Sequence, residues 1–142
     1  MSRHELEMVL NAGIESAKRM IETCGEFHPF GVRLAGDSAV ALVGVRASAE
    51  FPKGAALVDQ LEREFQESAV SGQLRAAAVC FLADVQFKDG AGTQTAAVFR
   101  LAHQDGDTAE VVLPFTLREG AASYGELVAL SSRSFTLTPE RS

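Results

Sequence analysis

Cysteine is scarce in this chain, with only Cys24 and Cys80 among its 142 residues. Two cysteines so far apart give neither a zinc-ligand spacing nor a redox pair. Each lies in an apolar run, so both are expected to be buried, reduced thiols, as fits a cytoplasmic location. Basic residues are also few: 13 Lys and Arg against 19 Asp and Glu leave a net charge of -6 and a pI near 5.0. Such a charge disfavours nucleic acid and anionic membranes as partners. A basic protein or a cationic ligand is better tolerated, although acidity usually serves solubility alone. No apolar run approaches the ~18 residues of a membrane span. The start, Met-Ser-Arg-His-Glu-Leu-Glu, lacks the basic-then-apolar pattern of a signal peptide.

Motifs that carry chemistry are missing as well. The sequence holds no G-x-S-x-G, H-E-x-x-H or C-x-x-C. Gly90-Ala91-Gly92 is followed by neither Lys-Ser/Thr nor a helix start, which excludes a phosphate loop. No catalytic residue, metal ligand or cofactor is assigned on these grounds, and the chain reads as non-enzymatic.

What is present is a globular domain. The composition is 46% hydrophobic and 23% charged. A chain of this length buries roughly 68–70% of its unfolded surface, so it folds without metal or disulfide. Residues 3–24 read as a helix, with Ser2 and Glu5 as a capping box. Leu6, Val9, Leu10, Ala17, Met20, Ile21 and Cys24 form its apolar stripe. Gly13 on that stripe permits close approach of another element, and Gly25 suits the helix end. Pro29–Leu34 and Ala39–Val45 read as a hairpin around Ala35-Gly36-Asp37-Ser38, followed by a loop with Pro52. A second helix spans 54–71, its stripe Leu57, Val58, Leu61, Phe65 and Ala69, ended by Gly72.

Ala76 to Leu117 reads as three antiparallel strands with apolar residues on both faces. Val79, Phe81, Ala83, Val85 and Phe87 share one face of the first, and Cys80, Leu82, Asp84 and Gln86 the other. Matching the greasier faces sets Ala83 opposite Phe99, and Phe99 opposite Leu113, through a long loop and the three-residue loop Asp105-Gly106-Asp107. A two-residue Asp-Gly turn would place Leu101 against Glu110 and is rejected. Two helices are expected to cover one face. The second, half apolar, needs the tail or a second copy of the chain. Pro114 marks an edge or a free side of its strand. The tail 118–142 is expected to be irregular, with an apolar piece at Leu127–Leu130 and a strand-like Ser134-Phe135-Thr136-Leu137.

Six residues are singled out as a possible pocket or interface: His28, Phe30, Leu82, Asp84, Arg100 and His103. His28, between Phe27 and the rigid Pro29-Phe30, could line a pocket as a general base, but no acid or nucleophile accompanies it, so a structural junction is the better reading. His103 beside Asp105-Gly106-Asp107 offers ligands for a divalent ion, too few to enclose one, so a solvated hairpin tip is favoured. Asp84 and Arg100 are neighbours on the second face in this register, where a cross-strand ion pair is simpler than a cleft.

The order helix, two strands, helix, three strands resembles the roadblock/LC7 and profilin-like α+β sandwiches over residues 3–117. That resemblance implies a small, often dimeric interaction module without catalysis. Phe30-Gly31-Val32, Ala83-Asp84-Val85, Val112-Leu113-Pro114-Phe115 and Tyr124-Gly125-Glu126-Leu127 are also similar to phrases in a group of small uncharacterised bacterial proteins, which implies no activity. The expectation is therefore an α+β domain over 1–117 with a five-stranded, largely antiparallel sheet and two helices, and a tail over 118–142 packed on the domain or on a partner. It acts by protein–protein contact, as a homodimer. The alternatives are an immunity- or antitoxin-type protein covering a basic partner, and a small-ligand binder or enzyme with a pocket near His28.

Overall fold

The computed structural model describes residues 2–36, 39–44, 54–70, 74–86, 93–119 and 121–130. The fold is α+β, in the order α1 (Ser2–Cys24), β1 (Phe30–Ala35), β2 (Val40–Gly44), α2 (Gly54–Val70), β3 (Leu74–Gln86), β4 (Thr93–His103), β5 (Thr108–Arg118), β6 (Ala121–Tyr124) and β7 (Val128–Leu130). All strand pairings are antiparallel. The sheet runs β2-β1-β3-β4-β5-β6, with β7 also paired to β5. No described helix is long and apolar enough to cross a membrane. Asp37-Ser38, the Pro52 loop, Gly72, Phe87, Gly90-Ala91-Gly92 and Ser134-Phe135-Thr136-Leu137 fall outside the described residues.

The centre of β3 dictates the layering. Ala76 to Cys80 is apolar on both sides of the pleat and wholly buried, the pattern of a strand covered on both faces. The two helices accordingly take opposite faces, contrary to the expectation that they share one. α1 lays Val9, Ala17 and Ile21 on Val32, Leu34, Ala78, Cys80, Phe99 and Leu113. α2 lays Val58, Leu61 and Phe65 on Ala77, Val79 and Ala102. Farther along this second face, Ala96, Val98 and Val112 cluster with Phe81 and Ala83.

Two close approaches seat the helices. A Cβ at Gly13 would stand 2.9 Å from Cys80 Sγ and 3.3 Å from the Phe99 ring, so the glycine on the α1 stripe lets that helix down onto β3 and β4. On the other face, a Cβ at Gly31 would stand 2.5 Å from the buried Phe65 ring. Gly31→Ala is expected to destabilise by about 1–3 kcal/mol, because the buried ring must shift to admit the added methyl. A urea midpoint unchanged or raised would show that α2 does not bear on β1 there. The α1 end is closed by Gly25, whose N–H donates to Ile21 O at 2.8 Å. Burial pushes the Cys80 thiol pKa up; Cys24 is exposed, not buried as expected.

The register departs from the sequence reading at β3. Phe99 stands opposite Cys80, not Ala83. The odd slip of three inverts the strand, so Cys80 and Leu82 face α1 while Val79 and Phe81 face away. Between β4 and β5 the slip is even: Phe99 stands opposite Val111 instead of Leu113, and the shared face is kept. Leu101 pairs with Ala109, so the two-residue turn is indeed avoided. As far as it is described, to Leu130, the tail is not irregular, since β6 and β7 both add to β5. Pro114 falls between the stretches they pair with, and its carbonyl accepts from Gly125 N–H at 2.8 Å. The missing N–H therefore coincides with the break between two short ladders.

Candidate functional site

The sheet separates the six singled-out residues. His28 is exposed between α1 and β1. Phe30 is buried, its ring edge-on to Phe27 with centroids 5.3 Å apart. Leu82 is half-buried against the α1-side core. Asp84 is exposed and accepts a hydrogen bond from Thr95 Oγ1 at 3.0 Å. Arg100 is not its partner, because the inverted register sends the two to opposite faces. Arg100 instead lies over the Phe81 ring, 4.9 Å from its centroid, and donates from Nε to Glu110 at 2.8 Å and from Nη1 to Glu62 at 3.1 Å. That triad ties α2 to β4 and β5. Burial works against the Arg100 charge, but the hydrogen bonds to Glu110 and Glu62 prevail and hold its pKa above the usual value.

His103 is not a solvated hairpin tip. Only 5% exposed, it lies beneath the N-terminal turns of α1. His103 Nδ1 stands 3.1 Å from both the Asp105 backbone nitrogen and Asp105 Oδ1. Nε2 in turn donates to Glu5 Oε1 at 2.5 Å. The other Glu5 oxygen meets Arg75 Nη2, also at 2.5 Å. Glu5, expected in a capping box, thus directs both oxygens across to the sheet. The His103 hydrogen bond, opposed by burial and aided by Arg75, holds the Glu5 carboxyl below its usual range. Arg75 Nε is buried without a hydrogen-bond partner.

Both clusters join separate secondary-structure elements, Arg100 drawing Glu62 and Glu110 together and Arg75 and His103 holding Glu5, so they brace the fold. Among the described residues no group of three or more His, Cys, Asp or Glu could hold a metal ion. An open groove of about 460 Å³ is lined by Gly25, Thr95, Phe115, Thr116, Leu117 and Arg118, without His28.

The exposed large apolar side chains among the described residues collect at the two ends of the sheet. At one end Val40 and Leu42 on β2 are 41% and 57% exposed. At the other, Leu117 lines the groove, Leu127 precedes β7 and Val128 begins it. There Tyr124 donates to Glu22 at 2.8 Å beneath the Lys18 ammonium, fastening β6 to α1. Burial first, and then this bond, push the Tyr124 pKa up to about 12. The sequence reading missed Glu5, Arg75 and Glu62 as charge partners and β2 as an exposed edge. Val40-Ala41-Leu42-Val43 did carry a signal, an uncharged run in a strand placed outermost. Comparison of the chain with family models, curated proteins and solved structures returns no match.

Proposed function

We propose that this protein is a non-enzymatic protein–protein interaction module that acts as a homodimer. The observation that carries the reading is the placement of its exposed large apolar side chains at the sheet ends, while the buried carboxylates are engaged by Arg75, Arg100 and His103. Scattered exposed apolar residues are ordinary, but side chains gathered along a strand edge favour contact with another chain. A catalytic cleft would instead leave titratable groups facing a cavity. Here Glu5, His103, Glu62, Arg100 and Glu110 are engaged with one another.

Light scattering coupled to size exclusion, at two protein concentrations, tests the reading. A mass twice 15.1 kDa at the higher concentration is expected. A single mass of one chain at both concentrations counts against the homodimer.

A further inference from the structure

We propose that two copies of this chain join through β2, strand to antiparallel strand, about a two-fold axis at Leu42, so that the two sheets become one. The inference rests on the homodimer reading and names the surface that would serve it. Among the described residues, β2 is the terminal strand of the sheet order and pairs with β1 alone. Edge strands are normally guarded by lysine, by proline or by extreme shortness. β2 reads Val-Ala-Leu-Val-Gly, with neither charge nor proline.

Charge selects the occupant. Each copy carries -6, so two copies repel over most of their surfaces. They meet without like-charge contacts only along a neutral strip, which β2 supplies. A strongly basic partner would gain nothing from this edge and would be drawn to acidic surface elsewhere. The opposite end of the sheet carries Arg118, Glu119 and Glu126. A two-fold contact is self-complementary. In the symmetric register Leu42 stands opposite Leu42 of the partner subunit, and Ala41 opposite the partner subunit's Val43. Val40 and Leu42 pair with Leu34 and Val32, so they lie on the α1 side of the sheet and extend its apolar surface across the junction. A strand this short falls below the ~1,200 Å² of a standard stable interface, so the dimer should dissociate on dilution.

The test compares the wild-type chain with Leu42→Lys and, at the far end of the sheet, Leu127→Lys, by light scattering across a dilution series. Circular dichroism checks that each variant is folded. Both side chains are at least half exposed, at 57% and 50%, so the fold should survive. The expected result is a concentration-dependent dimer for the wild type and Leu127→Lys, and a monomer for Leu42→Lys. A second arm oxidises Leu42→Cys in a Cys24→Ser background. Directly opposed Cβ atoms about 4.5–5.5 Å apart should give a cross-linked dimer with little backbone movement. A dimer that persists in Leu42→Lys, with no cross-link in Leu42→Cys, would overturn the β2 assignment and leave the homodimer standing. A wild type that is monomeric throughout would overturn both.

Discussion

Replacing Phe99 by alanine is expected to lower the unfolding free energy by about 3–5 kcal/mol, measured by urea denaturation at unchanged slope. The ring is wholly buried in the middle of β4, where α1 presses Gly13 toward it and Cys80 stands opposite. Removing it leaves a hole bordered by a helix and by neighbouring strands. Neither can close in without breaking the ladders on either side, so the cavity cost adds to the lost burial. Typical domains hold about 5–15 kcal/mol in total, so the variant is expected to melt far below the wild type. Loss of less than about 1 kcal/mol would mean that α1 does not seal this part of the sheet.

Glu5 gives the second large effect. Glu5→Ala is expected to cost about 3 kcal/mol or more at neutral pH, since it strands His103 and Arg75 together. The lower end of the range for a broken buried pair applies, because the Arg75 side chain is 35% exposed and can turn partly toward water. The acid limb gives an independent readout. The folded protein holds the Glu5 carboxyl below its ordinary 4.5. Its contribution is therefore complete above that value and is lost as the pH falls through the depressed folded one. Glu5→Gln keeps an acceptor for His103 and removes the titration. Wild-type stability should thus fall more steeply than that of Glu5→Gln below about pH 4.5, and the two curves should converge. Parallel curves from neutral pH down to strong acid would remove Glu5 from this role.

Much of the secondary structure was legible because it rests on local pattern. The stripe through Val9, Ala17 and Ile21, and that through Leu61 and Phe65, identified both helices and their buried sides. Alternation in Phe99, Leu101, Leu113 and Phe115 placed β4 and β5 on a common face, and there the parity held. It failed at β3 because Ala76 to Leu82 is apolar at every position, so no period of two marks which side is which. That one ambiguity inverted the strand in the sequence reading, joined Asp84 to Arg100 on one face, and put both helices on the other. β6, Ala-Ala-Ser-Tyr, is too short and too bland to signal a strand. The pairing of His103 with Glu5 spans 98 residues; no local spacing encodes it, since the fold itself brings the start of α1 over the end of β4. Leu42 was passed over because a hydrophobic strand reads as core until the sheet order places it outermost.

The interruption at Pro114 bears on how far such a sheet can grow. On either side of it the outer margin of β5 is taken by a four-residue and a three-residue strand, β6 on Phe115–Arg118 and β7 on Glu110–Val112, with Gly125 held to the Pro114 carbonyl between them. An incoming strand finds no continuous row of donors and acceptors there to copy. In the β2 pairing proposed above, one margin of the molecule therefore templates another chain, while the margin at β5 offers no such continuous row among the described residues. Units with two adhesive ends make fibres of unlimited length, whereas units with one stop at a pair. Under that proposal a proline and a few residues of tail limit assembly to a pair, and lengthening β7 past that break would be the shortest route from a finite assembly to a filament.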